Sequence, residues 1–272
     1  MTFAGKAAWI TGASSGIGAA LARELAQRGA RLILSGRNEA ALAAVAADCP
    51  EHLVLPFEVT DLAALPGLVE QAESWSGGVD MLVNNAGISQ RSLAKDTALE
   101  VYQRIVDIDL MAPIALTQAL LPRMVGRQSG RMVFISSLAG KFGAPLRTAY
   151  SAAKFGLIGY ADALRAELSV EGISVHTITP GSIRTDVSRN ALTADGSQRG
   201  RSDEAIENGI PADEAARDML DAIAAGEREI IIAQGMELAL GEMRKTPDAL
   251  FDQVAAFMAS GYAEKMETEG KE

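Results

Sequence analysis

The apolar positions of this chain fall into two alternating patterns. Short, largely apolar runs read as strands: "AAWIT" (7–11), "RLILSG" (31–36), "HLVLPFEV" (52–59), "VDMLVNNAG" (79–87), "GRMVFISS" (130–137), "ISVHTITPG" (173–181) and "REIIIA" (228–233). Between them lie longer stretches with helical spacing, at 16–28, 38–47, 61–76, 98–126 and 149–171, and the long run at 98–126 is expected to bend at Pro113. Short apolar strands separated by helices predict βαβ crossovers and an α/β fold, with a parallel sheet covered on both faces. No repeat or interdomain linker interrupts the pattern, so residues 1–272 are expected to form one domain. The most polar internal segment, 186–209, sits after the sixth strand, where a mobile lid over a site would belong. Residues 234–272 form a C-terminal extension whose apolar spacing predicts an extra helix or two, covering a cleft, meeting another subunit or simply packing on the surface. The final "AEKMETEGKE" is charged and expected to fray.

Composition narrows the function classes. With 35 acidic against 25 basic side chains the net charge is −10, which repels phosphate backbones and anionic lipid. Neither nucleic acid nor a membrane is expected as a partner, and no run of about 18 uninterrupted apolar residues suggests a span. A single cysteine, Cys49, and two histidines leave no material for a disulfide framework or a protein metal site. The opening "MTFAGKAAWITG" has neither a basic leader region nor a long apolar one, so a cytoplasmic location is expected.

The chemistry-bearing residues begin directly after the first strand. In "ITGASSGIGAAL" the glycines are Gly12, Gly16 and Gly18, with Ser14, Ser15 and Ile17 between them. Glycines at a strand-to-helix turn allow close backbone approach, and the helix N-terminus offers amide donors and a positive dipole end to a pyrophosphate. Where an acidic residue would meet the ribose 2′-hydroxyl of NAD, "ILSGRN" has Gly36 and Arg37, and no Asp or Glu occurs from 31 to 38. That combination favours NADP(H), with NAD(H) as the alternative, since a guanidinium suits a phosphate. A solvated loop arginine would look the same in sequence. Farther on, "NNAG" (84–87) ends the fourth strand at the sheet edge where ligands gather.

Taken in order, "TGASSGIG", "NNAG", "ISS", "YSAAK" and "PGSIRT" make residues 4 to 190 resemble the short-chain dehydrogenase/reductase family. The resemblance implies a doubly wound Rossmann-like fold with a seven-stranded, mostly parallel sheet, and a dimer or tetramer joined through the helices at 98–126 and 149–171. It implies an NAD(P)-dependent oxidoreductase acting on a small carbonyl or alcohol substrate. By the same resemblance Ser137, thirteen positions before Tyr150, orients the substrate oxygen in preference to Ser136. Tyr150 is the acid/base, and Lys154 lowers its pKa and holds the nicotinamide ribose. Asn85, Ala86 and Gly87 fall on the adenosine side, and Glu58 and Val59 beside the adenine. Pro180, Gly181, Ile183 and Thr185 fall around the nicotinamide amide and pyrophosphate.

Elementary chemistry supports those roles. Spacing of i, i+4 sets Tyr150 and Lys154 on one helix face, and a cation beside a phenol favours phenolate. A hydroxyl at Ser137 can hold a carbonyl oxygen for hydride attack, with Tyr150 supplying or taking the proton. Two departures stand out. "VDIDLMAP" places Asp109 where the family has an asparagine that helps hold a water beside the lysine. A carboxylate there would pair with Lys154 and weaken its pull on Tyr150, which predicts retained activity with a shifted pH optimum. The C-terminal extension is the second departure. Residues 89–97, 138–147 and 186–209 are expected to line the substrate site. A cofactor-binding scaffold or redox sensor, lacking the Ser–Tyr–Lys set, is the competing class. An epimerase or dehydratase would need a larger sugar-binding region.

Overall fold

The computed structural model describes residues 3–242 and residue 260. Its elements run β1 (Ala7–Thr11), α1 (Gly16–Gln27), β2 (Arg31–Ser35), α2 (Glu39–Ala46), β3 (His52–Val54), α3 (Leu65–Ser76), β4 (Met81–Asn84) and α4 (Leu99–Val106). Then come α5 (Ala112–Arg127), β5 (Gly130–Ile135), α6 (Thr148–Glu167), β6 (Ile173–Pro180), the short β7 (Ile183–Arg184), α7 (Glu204–Glu207) and β8 (Ile210–Pro211). α8 (Ala212–Ala225), β9 (Glu229–Ile232) and α9 (Gly235–Glu242) complete the described chain.

Seven strands form one sheet in the order β3-β2-β1-β4-β5-β6-β9, and every neighbouring pair is parallel. The apolar runs lack polar alternation because both faces are covered. Along each strand successive side chains enter opposite layers. Ala8, Ile10, Leu32, Leu34, Val83 and Ile135 pack with α1 and α8, whereas Trp9, Ile33, Leu82, Met132 and Phe134 pack with α3, α5 and α6. The one polar atom of Trp9 stays satisfied, since its indole N–H donates to Ser35 Oγ at 2.9 Å, and that hydroxyl donates to the Leu55 carbonyl at 2.7 Å.

Two expected elements come out differently, and prolines explain both. The run 52–59 yields only the three-residue β3, because Pro56 has no N–H for the ladder and the chain peels away. The released residues Phe57, Glu58 and Val59 line a cavity instead. In the long helical run the irregularity falls just before Pro113. Residues Asp107–Met111 form a wide turn in which the Ala112 amide bonds the Asp107 carbonyl, five residues back. Pro113 cannot donate to the carbonyl four residues earlier, so a widened turn ahead of it relieves the mismatch. The run Leu99–Arg127 is the one helix among the described residues long and apolar enough to cross a membrane. Its Leu116, Leu120 and Met124 pack in the sheet layer shared with α3 and α6. Of the C-terminal extension, α9 is described, while 243–259 and 261–272, with the charged tail, lie outside the described residues.

One buried group ties stability to pH. His176, in the middle of β6, donates from Nδ1 to the Glu227 carbonyl, and its Nε2 faces Ser174 Oγ at 3.2 Å. Burial lowers its pKa from 6.5 to about 4, against the pull of that carbonyl, with Arg131 and Arg165 adding to the fall. The unfolded chain binds the proton first, so stability is complete above about pH 6.5 and is lost as the pH falls toward 4. A shift of this size corresponds to roughly 3 kcal/mol. Urea unfolding of the wild type should weaken by that order across this window, and His176→Gln should lack that component. Parallel slopes for the two proteins would contradict the assignment.

Candidate active site

The strand order reverses between β1 and β4, and the crevice beyond their carboxyl ends opens into a cavity of about 600 Å³. Its first wall is the glycine turn. Gly12 has φ +65°, and a Cβ there would stand 2.9 Å from Ala86 Cα and from Asn85 Nδ2. Gly16 has φ +51° and sits against the Thr185 methyl. Ser15 precedes α1 without capping it through its hydroxyl, which leaves the first-turn amides facing outward for an anion. Thr11 Oγ1 accepts from the amides of Asn85 and Ala86 at 3.0 and 3.1 Å, and Asn85 Nδ2 donates to the Thr11 carbonyl at 2.9 Å. The turn after β1 and the turn after β4 are therefore one unit.

Gly12, Ser14, Ser15, Gly16, Ile17, Arg37, Glu58, Val59, Asn85, Ala86 and Gly87 all line this cavity, as do Asp109, Ser137, Tyr150, Lys154, Pro180, Gly181, Ile183 and Thr185. Gly18 does not. A Cβ at Gly18 would lie 2.2 Å from the Gly12 carbonyl oxygen, so this glycine lets α1 pack against the turn rather than meeting a ligand. At the adenosine end, Arg37 Nη1 is 3.4 Å from Glu58 Oε2, and both side chains are largely exposed. A pair so exposed holds the guanidinium only weakly.

At the other end the two serines after β5 separate. Both border the cavity, but Ser136 is buried and its Oγ donates to the Lys154 carbonyl at 3.0 Å, which fixes α6 to the strand. Ser137 lines the cavity, its Oγ accepting the Ala139 amide at 3.1 Å. Lys154 is buried, donates from Nζ to the Ile135 carbonyl at 3.0 Å, and lies 5.6 Å from the centre of the Tyr150 ring. Asp109, fully buried in the wide turn between α4 and α5, sets Oδ2 3.1 Å from Lys154 Nζ, and its Oδ1 accepts the Ile88 amide at 2.9 Å. Burial pushes the Asp109 carboxyl above the ordinary value, against Lys154 and that amide. Burial also pulls Lys154 down, but the Asp109 carboxylate and Tyr150 outweigh it and hold the ammonium above a free lysine. A Cβ at Gly87 would lie 2.9 Å from Asp109 Oδ2 and 3.4 Å from Lys154 Nζ, so the glycine of "NNAG" makes room for the pair.

The surrounding loops differ from their expected roles. Residues 89–97 and 138–147 do not reach the cavity. Gln90 is fully buried, its Oε1 accepting the Ala149 amide at 2.9 Å and its Nε2 donating to Ser92 Oγ and Thr97 Oγ1 at 3.1 Å. It supplies the cap that Arg147, ahead of α6, does not. The segment 186–209 does contribute a wall, through Asp186, Val187, Asn190, Leu192, Gly196, Gln198 and Ile206. Rather than hanging free, it is anchored at Asp203, a buried carboxylate met by Arg91 at 2.6 Å, Arg147 at 3.4 Å and Arg199. Burial opposes its ionisation, but the three guanidiniums hold the carboxyl below the ordinary value.

Sequence reasoning missed Phe57, Ile88, Arg104 and Ile108 as lining residues, and it missed Glu237. From α9, the Glu237 carboxylate accepts the Ser182 amide at 2.8 Å and the Ser182 hydroxyl at 2.7 Å. A Cβ on Gly181 would lie 2.4 Å from Glu237 Oε2. The described part of the C-terminal extension thus braces the loop after β6 from behind and stays outside the cavity.

Residues 6–196 match the family model described as short chain dehydrogenase. Over 260 residues the chain is 38% identical to the bovine dehydrogenase/reductase SDR family member 7B, covering 92% of this chain and 80% of that protein. A short-chain dehydrogenase/reductase from Burkholderia phymatum, solved with NAD, superimposes with a TM-score of 0.81 at 24% identity over 92% of this chain and 96% of its own. A metagenomic short-chain oxidoreductase solved with NADP gives a TM-score of 0.70 at 28% identity over 85% of this chain and 98% of its own.

Proposed function

The chain belongs to the short-chain dehydrogenase family and is an NAD(P)-dependent oxidoreductase, and on that premise we propose that it uses NADP(H) to interconvert a ketone or aldehyde and an alcohol. The observation that carries the reading is the convergence of Ser137, Tyr150 and Lys154 on the cavity that begins at the Gly12–Gly16 turn. The turn is a cradle that side chains would fill, which suits a dinucleotide lying against the backbone. The first turn of α1 would hold the pyrophosphate, Arg37 a 2′-phosphate, and the Pro180–Thr185 stretch the nicotinamide end. When bound, the nicotinamide supplies or accepts the hydride.

The chain's own residues handle the oxygen. In the reductive direction Ser137 Oγ hydrogen-bonds the carbonyl oxygen and fixes its orientation. As charge develops on that oxygen, the Tyr150 hydroxyl transfers its proton and the alcohol forms. Oxidation runs the same path backwards, with Tyr150 receiving the alcohol proton. Lys154 places a cation beside the phenol, and Asp109 sets how much of that charge the phenol feels. Proton transfer of this kind contributes about 10²–10⁴-fold.

Three experiments test the reading. A panel of ketones and alcohols offered with NADPH, NADP, NADH and NAD should give turnover, and Tyr150→Phe should lower it at least about 10²-fold while cofactor affinity is retained. Tight cofactor binding without turnover across the panel would support the scaffold class, and near wild-type rates in Tyr150→Phe would refute the mechanism. Arg37→Leu should raise KM for NADPH by about tenfold or more and leave NADH almost unaffected; an equal effect on both cofactors would remove Arg37 from their discrimination. In Asp109→Asn the Lys154 charge is unopposed, so phenolate is favoured and the lysine releases its proton more readily. Activity should persist with the pH–rate profile displaced to lower pH, and superimposable profiles would leave Asp109 no electrostatic role.

A further inference from the structure

Among the described residues that line the cavity, one cation has no counter-charge. Arg104 lies on α4 three residues after the buried Val101 and next to the buried Ile105. It lines the cavity at an exposed position, near the stretch where Gly196 of the anchored segment approaches Val101. Glu100 and Asp107 stand four residues before and three after it on the same helical run, the spacings at which a helix forms ion pairs. Arg104 pairs with neither, and among the described residues its guanidinium has no hydrogen bond or ion pair.

The other charged groups of the wall are engaged. Lys154 pairs with Asp109, Arg37 with Glu58 at the adenosine end, and Asp186 with Arg189 at 3.5 Å. Asn190 and Gln198 bond to one another. Beside them the wall is apolar, formed by Ile88, Ile108, Val187, Leu192 and Ile206. A cavity whose lining combines the proton-transfer groups, an apolar stretch and an unmatched guanidinium favours a ligand with an apolar body and a negative end.

Resting on the carbonyl/alcohol reading above, we propose that Arg104 binds an anionic group of the substrate, so that the substrate class is an apolar ketone, aldehyde or alcohol carrying a carboxylate or a phosphate. Both anions present oxygens that a guanidinium grips with two parallel hydrogen bonds.

Calorimetry on the full chain saturated with NADP+ tests this with three probes of one chain length: hexanoate, monohexyl phosphate and 1-hexanol. At least one anion should bind about tenfold or more tightly than hexanol, the margin of a charge-assisted contact. Whichever anion gains that margin identifies the group. Arg104→Gln should abolish the margin without altering hexanol affinity, and Arg104→Lys should restore part of it. The NADP+ affinity of each variant, measured in parallel, reports that the fold is intact. Equal affinity for the three probes, no measurable anion binding, or an undiminished margin in Arg104→Gln would overturn the proposal. Failure of the underlying reading looks different: anions would bind through Arg104 while no carbonyl compound oxidised NADPH.

Discussion

The buried pair of Lys154 and Asp109 is the contact on which the functional half of the molecule hangs. Removing two charges from water costs several kcal/mol per ion, and only close pairing with further hydrogen bonds offsets it. Here the offset draws on four places in the fold at once. Asp109 comes from the wide turn between α4 and α5, Lys154 from α6, the Ile88 amide from the loop after β4, and the Ile135 carbonyl from the end of β5. Moving any one of them strands a charge. The absence of a side chain at Gly87 answers the same geometric demand, and the widened turn ahead of Pro113 is where Asp109 meets it.

Around this pair the site is held by side chains that reach across long stretches of chain. Gln90 caps α6 from a loop that precedes it by nearly sixty residues. Asp203 collects Arg91, Arg147 and Arg199, and so ties the segment after β7 to the loop after β4 and to the start of α6. These are buried or half-buried charged contacts in which one carboxylate serves several guanidiniums. They give the cavity walls fixed positions where loops of such polar composition would otherwise be soft. Polarity in these loops therefore marks inward-facing connections as much as exposure to water.

That distinction explains what was legible in the sequence. The sheet was readable because helices cover both faces and the strands are apolar throughout, from Trp9 and Ile10 to Phe134 and Ile135. The glycine turn and the Tyr150–Lys154 spacing were readable because each is a local pattern, and the parallel order brings them to one cavity. What escaped were relations between distant residues. "SQRSLAKDT" reads as a wall of the substrate site, yet its Gln90 is a buried cap of α6. Gly18 shares a motif with Gly12 and Gly16, but its missing side chain serves helix packing. Nothing local in "GMELALGE" announces that Glu237 grips Ser182. Pro56 was visible, but its effect depends on whether the neighbouring strand needs the amide that proline lacks.

The grip of Glu237 on Ser182 has a consequence in time as well as in space. Along the chain the glycine turn comes before α6, and α9 comes after the last strand of the sheet. A growing chain can thus hold the opening turn and the tyrosine–lysine helix while the loop after β6 still lacks its brace. Domains generally fold as units once enough chain is available. The cavity's support from Glu237 accordingly comes after all the elements that form its walls.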